Sequence, residues 1–152
     1  MRFIPTLAIL SATVFARLAQ SGTVRVTYDT LYDNPTWPLS STACSSALGR
    51  EWPTLGAVPN YPFLGGIPGL TWASPLCGTC WQLKYVASNG TTSIINITAV
   101  DTAYTYNISK VAFSTWAGSS GVAAGSVTAT AAQLSPASCG DTGVHALSDY
   151  SK

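Results

Sequence analysis

Few residues in this sequence are able to do chemistry. There are six carboxylates, Asp29, Asp33, Glu51, Asp101, Asp141 and Asp149. Hydrolysis of a glycosidic bond needs two carboxyl groups flanking one sugar linkage. Asp29 and Asp101 each end an alternating run with a tyrosine close by, Tyr28 and Tyr104. Asp101 fits one half of a catalytic pair, but spacing marks out no second half. From pattern alone the simpler role weighs more: a carboxylate that orders a loop by accepting hydrogen bonds from backbone amides. Glu51 lies in a loop beside Trp52, and Asp141 and Asp149 lie in a polar tail where solvated charge is expected. The single histidine, His145, sits in that tail and reads as a surface group. A metal held by several histidines is therefore excluded, and neither a metal nor a cofactor is expected. There is no G-x-S-x-G turn and no glycine-rich phosphate loop.

Four cysteines, Cys44, Cys77, Cys80 and Cys139, offer a second kind of chemistry. Cys77-Gly78-Thr79-Cys80 has redox-motif spacing, but the Trp81–Val86 run that follows reads as a strand rather than the helix such a motif opens. A zinc site would need two further ligands close by, and Cys44 and Cys139 are far from the pair in sequence. Two structural disulfides are the stronger reading, and four cysteines leave three connectivities open. Three acceptor sequons for N-glycosylation begin at Asn89, Asn96 and Asn107. Five tryptophans and seven tyrosines complete the set. Aromatic rings on loops with few charges around them suit neutral sugars, since a ring face stacks on pyranose C–H groups; core filling is the competing use. Trp81 and Trp116 are assigned to the core, while Trp37 and Trp72 are read as more open.

These residues must be positioned by short strands. Thr23–Asp29, Trp81–Ala87, Thr92–Asp101 and Ser126–Leu134 alternate as strands, and Ser88-Asn89-Gly90 marks a hairpin. In the second of these, Trp81, Leu83 and Tyr85 share a face. In the third, Ile95, Ile97, Ala99 and Asp101 form the expected core face, with Ile94, Asn96, Thr98 and Val100 outward. Ser109–Trp116 reads as a helix capped by Asn107 or Ser109 and ended by Gly118. Residues 34–78 are rich in proline and glycine and read as loop, with a short helical turn near Ser45–Leu48. The pattern predicts a mainly β fold, a small barrel with one or two short helices.

The chain of 152 residues is long enough for one domain, and 47% hydrophobic residues exclude a disordered protein. Only 9% of residues are charged and the net charge is +1, so phosphate-driven nucleic-acid binding is not expected. Met1-Arg2 followed by an apolar run from Phe3 to Phe15 reads as a secretory signal peptide within residues 1–19, cleaved after Ala16 or Ala19. No further apolar run approaches membrane-spanning length. The domain is placed at residues 20–139, with residues 140–152 as a disordered tail, and the mature product is expected to be a secreted, extracellular monomer.

Val26-Thr27-Tyr28-Asp29-Thr30-Leu31-Tyr32-Asp33 followed by Ala43-Cys44-Ser45 resembles the opening of mature cerato-platanins. Trp52-Pro53-Thr54-Leu55-Gly56, Gly65-Gly66-Ile67-Pro68, Ser74-Pro75-Leu76-Cys77-Gly78-Thr79-Cys80-Trp81, Val100-Asp101 and Ser138-Cys139 continue the resemblance in order. It covers nearly all of residues 24–139. It implies a double-ψ β-barrel related to expansins and family-45 endoglucanases, and disulfides Cys44–Cys77 and Cys80–Cys139. It further implies a small protein secreted by filamentous fungi, often associated with the cell wall. Members bind chitin fragments, loosen cellulose without hydrolysing it and elicit plant defence. The aspartate tied to loosening matches Asp101, and the tyrosine–aspartate pair near the start matches Tyr28 and Asp29. The sequence departs from the family after the groove aspartate, where Thr102-Ala103-Tyr104-Thr105-Tyr106 is bulkier than the usual glycines.

The expected activity is therefore non-catalytic binding of N-acetylglucosamine oligomers or wall polysaccharide, with Tyr28, Tyr32 and Tyr104 stacking and Asp29 and Asp101 accepting sugar hydroxyls. A host receptor is a further expected partner. The rival readings are a wall-glycan hydrolase using Asp101 and a surface-coating protein of hyphae or air–water interfaces.

Overall fold

A computed structural model describes residues 22–141. Six strands, β1 (Gly22–Asp29), β2 (Leu64–Ile67), β3 (Cys80–Val86), β4 (Thr92–Thr102), β5 (Tyr106–Ser109) and β6 (Val127–Leu134), close into a barrel in the order β1-β5-β2-β4-β3-β6. The pairs β1–β5 and β2–β4 are parallel and the other four are antiparallel. Closure satisfies both edges of every strand, which removes exposed edges as sites for pairing with other chains. The longer helix α2 (Lys110–Ala124) packs against the barrel through Phe113 and Trp116, and α1 (Ser45–Leu48) is a single turn. Among the described residues no helix is long and apolar enough to cross a membrane. The expected signal peptide at 1–19 and most of the expected tail lie outside the described residues.

Both disulfides are present, Cys44–Cys77 and Cys80–Cys139, as the resemblance implies. They close segments separated by 33 and 59 residues. In the chain-entropy model each contributes about 4 kcal/mol.

The strands expected at β1, β3, β4 and β6 form within a residue of their predicted bounds. Two strands were not expected. Leu64-Gly65-Gly66-Ile67 reads as loop because of its glycines, yet it is β2, and all four residues are buried. Gly65 is required there by close approach: a Cβ would lie 2.3 Å from the Asn107 carbonyl oxygen and 2.7 Å from the Ile108 Cα. Tyr106–Ser109 is β5, too short to show a period, and it takes its strand form from partners on both sides.

Other expectations are corrected. Helix α2 does not end at Gly118; the chain kinks there, with Gly118 at φ 68°, and helix resumes to Ala124, capped by Gly125 at φ 74°. Ser109, not Asn107, caps its start, accepting a hydrogen bond from the Ala112 N–H at 3.0 Å. In β4, Ile97 and Ala99 are buried as expected, but so are Thr98 and Val100. The stretch 34–78 is the cause. It is not a loose loop: Leu39, Leu48, Trp52, Leu55, Val58 and Leu70 join the same buried cluster as Val100. Asn60 Nδ2 fastens that stretch by donating to the Phe63 and Asn96 carbonyls at 3.0 and 2.9 Å. Asp141, expected in a solvated tail, is 9% exposed, and its N–H donates to the Pro136 carbonyl at 3.3 Å.

Candidate functional site

Asp101 stands near the C-terminal end of β4, half-buried. The register between β2 and β4 shifts at Gly65/Gly66, so Gly66 faces Asp101. Such an irregularity re-aims side chains, and Gly66 adds room: a Cβ there would sit 3.0 Å from the Tyr32 hydroxyl oxygen. Three donors converge on the carboxylate. Oδ1 accepts from the Ala43 N–H at 2.9 Å and from the Thr102 N–H at 2.8 Å. Oδ2 accepts from the Tyr32 hydroxyl at 3.3 Å. Asp101 thus ties β4 to the segment that precedes Cys44, the loop-ordering role that pattern alone favours.

Tyr32 does not offer a stacking face. It is 4% exposed, with its ring inside the core and its hydroxyl turned to Asp101. Burial first, then the Asp101 charge, the hydrogen bond to it and the Asp29 charge push its ionisation well above the usual tyrosine range. Asp29 is exposed and caps the one-turn 3-10 helix Thr30–Asp33, its Oδ1 accepting from the Leu31 N–H at 2.8 Å. This turn brings Tyr32 back toward Asp101. Asp33 Oδ1 in turn accepts from the Val111 N–H at 3.0 Å, pinning the same turn to the start of α2. The Tyr61 hydroxyl donates to the Asp33 carbonyl.

Tyr28 faces α2 rather than Asp101. Its ring meets Phe113 at 4.9 Å, its hydroxyl donates to the Val122 carbonyl at 3.3 Å, and Lys110 Nζ lies 5.8 Å above the ring. Tyr104, in the turn between β4 and β5, is fully exposed. Its neighbour Ala103 is held by an N–H donated to the Ile67 carbonyl at 3.2 Å, at the end of β2 beside Asp101. The structure therefore gathers Tyr32 and Asp101, with Asp29 within electrostatic reach of Tyr32, leaves Tyr104 exposed in the turn that follows β4, and leaves Tyr28 on the α2 side.

Among the tryptophans, Trp116 is buried and Trp81 half-buried. Trp37, expected to be open, is half-buried against the core, and Trp72 is 66% exposed. Asn89 is exposed at the β3–β4 hairpin tip, its Oδ1 accepting from the Thr91 N–H at 2.9 Å. Asn96 Nδ2 donates to the Ser138 carbonyl at 3.0 Å, and Asn107 Oδ1 accepts from the Thr27 hydroxyl at 3.0 Å, both half-buried. An open depression of about 330 Å³ lies on another face, lined by Thr23, Lys84, Val86, Thr128, Ala129 and Thr130. Among the described residues no cluster of His, Cys, Asp and Glu is placed to hold a metal ion.

Comparison with known proteins places this geometry. The cerato-platanin family model matches residues 24–141. The chain is 36% identical over 111 residues to cerato-platanin of Ceratocystis fimbriata f. sp. platani, covering 70% of this chain and 79% of that protein. It is 34% identical over 121 residues to allergen Asp f 15 of Aspergillus fumigatus, covering 76% of each. It also superposes on the crystal structure of cerato-platanin 1 from M. perniciosa with a TM-score of 0.73 at 30% identity, covering 76% of this chain and 98% of that one. With the six-stranded closed barrel, both disulfides and a match spanning almost every described residue, the chain belongs to the cerato-platanin family.

Proposed function

We propose that this protein is a secreted, non-catalytic carbohydrate-binding protein that takes N-acetylglucosamine oligomers, or neutral cell-wall glucans, on the surface around Asp101. The observation that carries this reading is a fully exposed tyrosine ring, Tyr104, three residues along the chain from a carboxylate that the chain itself holds in place. The ring offers a face to pyranose C–H groups, and the carboxylate retains acceptor capacity for sugar hydroxyls. Each such hydrogen bond contributes about 1 kcal/mol net, somewhat more when one partner is charged, so affinity for short oligomers is modest. The convergence of three donors on Asp101 suits a group that holds chain and ligand rather than one that shuttles protons. Asp29, the other carboxylate near Tyr32, is committed to Leu31. Loosening of wall glucans and recognition by a host receptor, which family membership suggests, belong to the same reading.

The test is a titration of the purified protein with chitohexaose, followed by tryptophan fluorescence and by calorimetry. Saturable binding that weakens in Tyr104→Ala supports the reading. Absence of binding to both chitohexaose and cellohexaose in calorimetry overturns it.

A further inference from the structure

Trp72 is one of the most exposed large side chains among the described residues, and it sits at the corner of a tight turn. The Ser74 N–H donates to the Thr71 carbonyl at 3.1 Å, closing a four-residue turn with Trp72 at its second position and Ala73 at its third. Ala73 has φ 54°, the one positive φ at a non-glycine position among the described residues. A turn that demands a left-handed third residue but carries alanine is strained at that backbone position, so its surroundings must enforce it.

Those surroundings lead back to Asp101. The Ala73 N–H donates to the Ala43 carbonyl at 3.2 Å, and the Ala43 N–H donates to Asp101 Oδ1 at 2.9 Å. Cys44, the residue after Ala43, is joined by the disulfide to Cys77, four residues after Ala73, so a covalent link ties the same two segments. Leu70, two residues before Trp72, is buried in the core. The turn is thus clamped on both sides, and the indole is its protruding part. The surrounding sequence also bears on the ligand: no charged residue occurs between Glu51 and Lys84, so the segment that carries the turn adds no charge of its own. A neutral surface with an exposed indole fits an uncharged pyranose rather than a polyanion.

We infer that Trp72 is a stacking residue for neutral hexopyranose oligomers, and that Asp101 is its positioning residue, acting through Ala43 and Ala73. This rests on the carbohydrate-binding reading above and assigns Asp101 a task that does not require its charge. Asparagine keeps an acceptor oxygen for the Ala43 N–H; alanine does not. The experiment compares Trp72→Ala, Asp101→Asn, Asp101→Ala and the double variant Trp72→Ala/Asp101→Ala, with Asp101→Ser replacing Asp101→Ala if the latter does not fold. Two readouts are taken. The first needs no ligand: mobility of the Trp72 indole N–H by ¹⁵N relaxation. Its order should fall in Asp101→Ala and stay unchanged in Asp101→Asn. The second is calorimetric affinity for chitohexaose. Trp72→Ala should weaken it about tenfold; Asp101→Asn, which keeps an acceptor for Ala43 but loses the charge offered to sugar hydroxyls, severalfold; and Asp101→Ala, which loses both, more than Asp101→Asn, with the double variant losing less than the sum of the Trp72→Ala and Asp101→Ala losses. Unchanged indole order in Asp101→Ala overturns the positioning role. Parent-like affinity in Trp72→Ala overturns the stacking role. An Asp101→Asn loss equal to that of Asp101→Ala overturns the relay, because the charge offered to sugar hydroxyls then accounts for the whole Asp101 effect. A parent that binds neither chitohexaose nor cellohexaose overturns the stacking role together with the functional reading, while the mobility readout still decides the link from Asp101 to the turn.

Discussion

Removing the Asp101 side chain should cost this barrel far more than loss of a surface charge. In Asp101→Ala three donors lose their acceptor. The Thr102 N–H is exposed and water replaces the carboxylate at little cost. The Ala43 N–H is half-buried, and the Tyr32 hydroxyl belongs to a side chain only 4% exposed. A buried donor left unpaired costs about 1–3 kcal/mol, so the two together give about 3 kcal/mol. For a domain of this size that lowers Tm by about 12 °C. Tyr32→Phe removes only the long 3.3 Å bond and should cost about 1 kcal/mol. Asp101→Asn keeps an acceptor for Ala43 and should also cost about 1 kcal/mol. In Tyr32→Phe/Asp101→Ala the unpaired hydroxyl is gone, so the double variant should be more stable than the sum of the single losses by about 1 kcal/mol. Urea unfolding of the oxidised protein measures all four. An Asp101→Ala protein within about 0.5 kcal/mol of the parent, or strictly additive losses, would refute the claim that Asp101 organises the Tyr32 and Ala43 segments.

Other outcomes follow from the same geometry. Burial pushes Tyr106 up to about 12, and Tyr32 is raised by burial and by Asp101, whereas an unfolded tyrosine ionises near 10. The folded state therefore holds protons that the unfolded state has lost. Stability should be intact below about pH 10 and fall as pH rises toward 12, seen as a lower urea midpoint at pH 11 than at pH 8; equal midpoints would contradict it. Gly65→Ala should cost about 3 kcal/mol or more, because its Cβ would meet backbone atoms of β5 at 2.3 and 2.7 Å; a parent-like urea midpoint would contradict the register of β2 against β5. In protein passed through a eukaryotic secretory pathway, Asn89→Gln should remove the glycan mass released by a peptide N-glycosidase. Asn96→Gln should not, since Asn96 lies half-buried within β4 rather than at an exposed turn. Incubation with cellulose or chitin should release no reducing ends; release that disappears in Asp101→Asn would revive the hydrolase.

How much of this was legible in the sequence depends on where each element draws its order. Long alternating runs such as Thr92–Asp101 carry their own signal, and β4 forms where the alternation says. Strands β2 and β5, of four residues each, do not. Gly65-Gly66 reads as loop because what requires glycine at Gly65 is the backbone of Asn107, 42 residues further along the chain, which no local period reveals. The kink in α2 shows the reverse case: Gly118 reads as the end of the helix, and helical geometry does break there, but the helix resumes and runs to Ala124. At the site, the carboxylate at a strand end was visible, and so was its loop-ordering role. The disulfide pairing came only with the family resemblance. The burial of Tyr32 was missed because the 3-10 turn after Asp29 rotates its ring inward, a reversal the alternating pattern of β1 does not announce. Trp72 reads as open from its loop setting, but its link to Asp101 runs through backbone atoms of Ala43 and Ala73, which carry no side-chain signature.

The most direct test of the central claim is a chemical-shift titration of ¹⁵N-labelled protein with chitohexaose. The account predicts saturable shifts clustered at the Thr102, Ala43, Ala73 and Tyr104 amides and the Trp72 indole. Shifts confined to the depression lined by Thr23, Lys84, Val86 and Thr130, or no shifts at saturating oligomer, would contradict it.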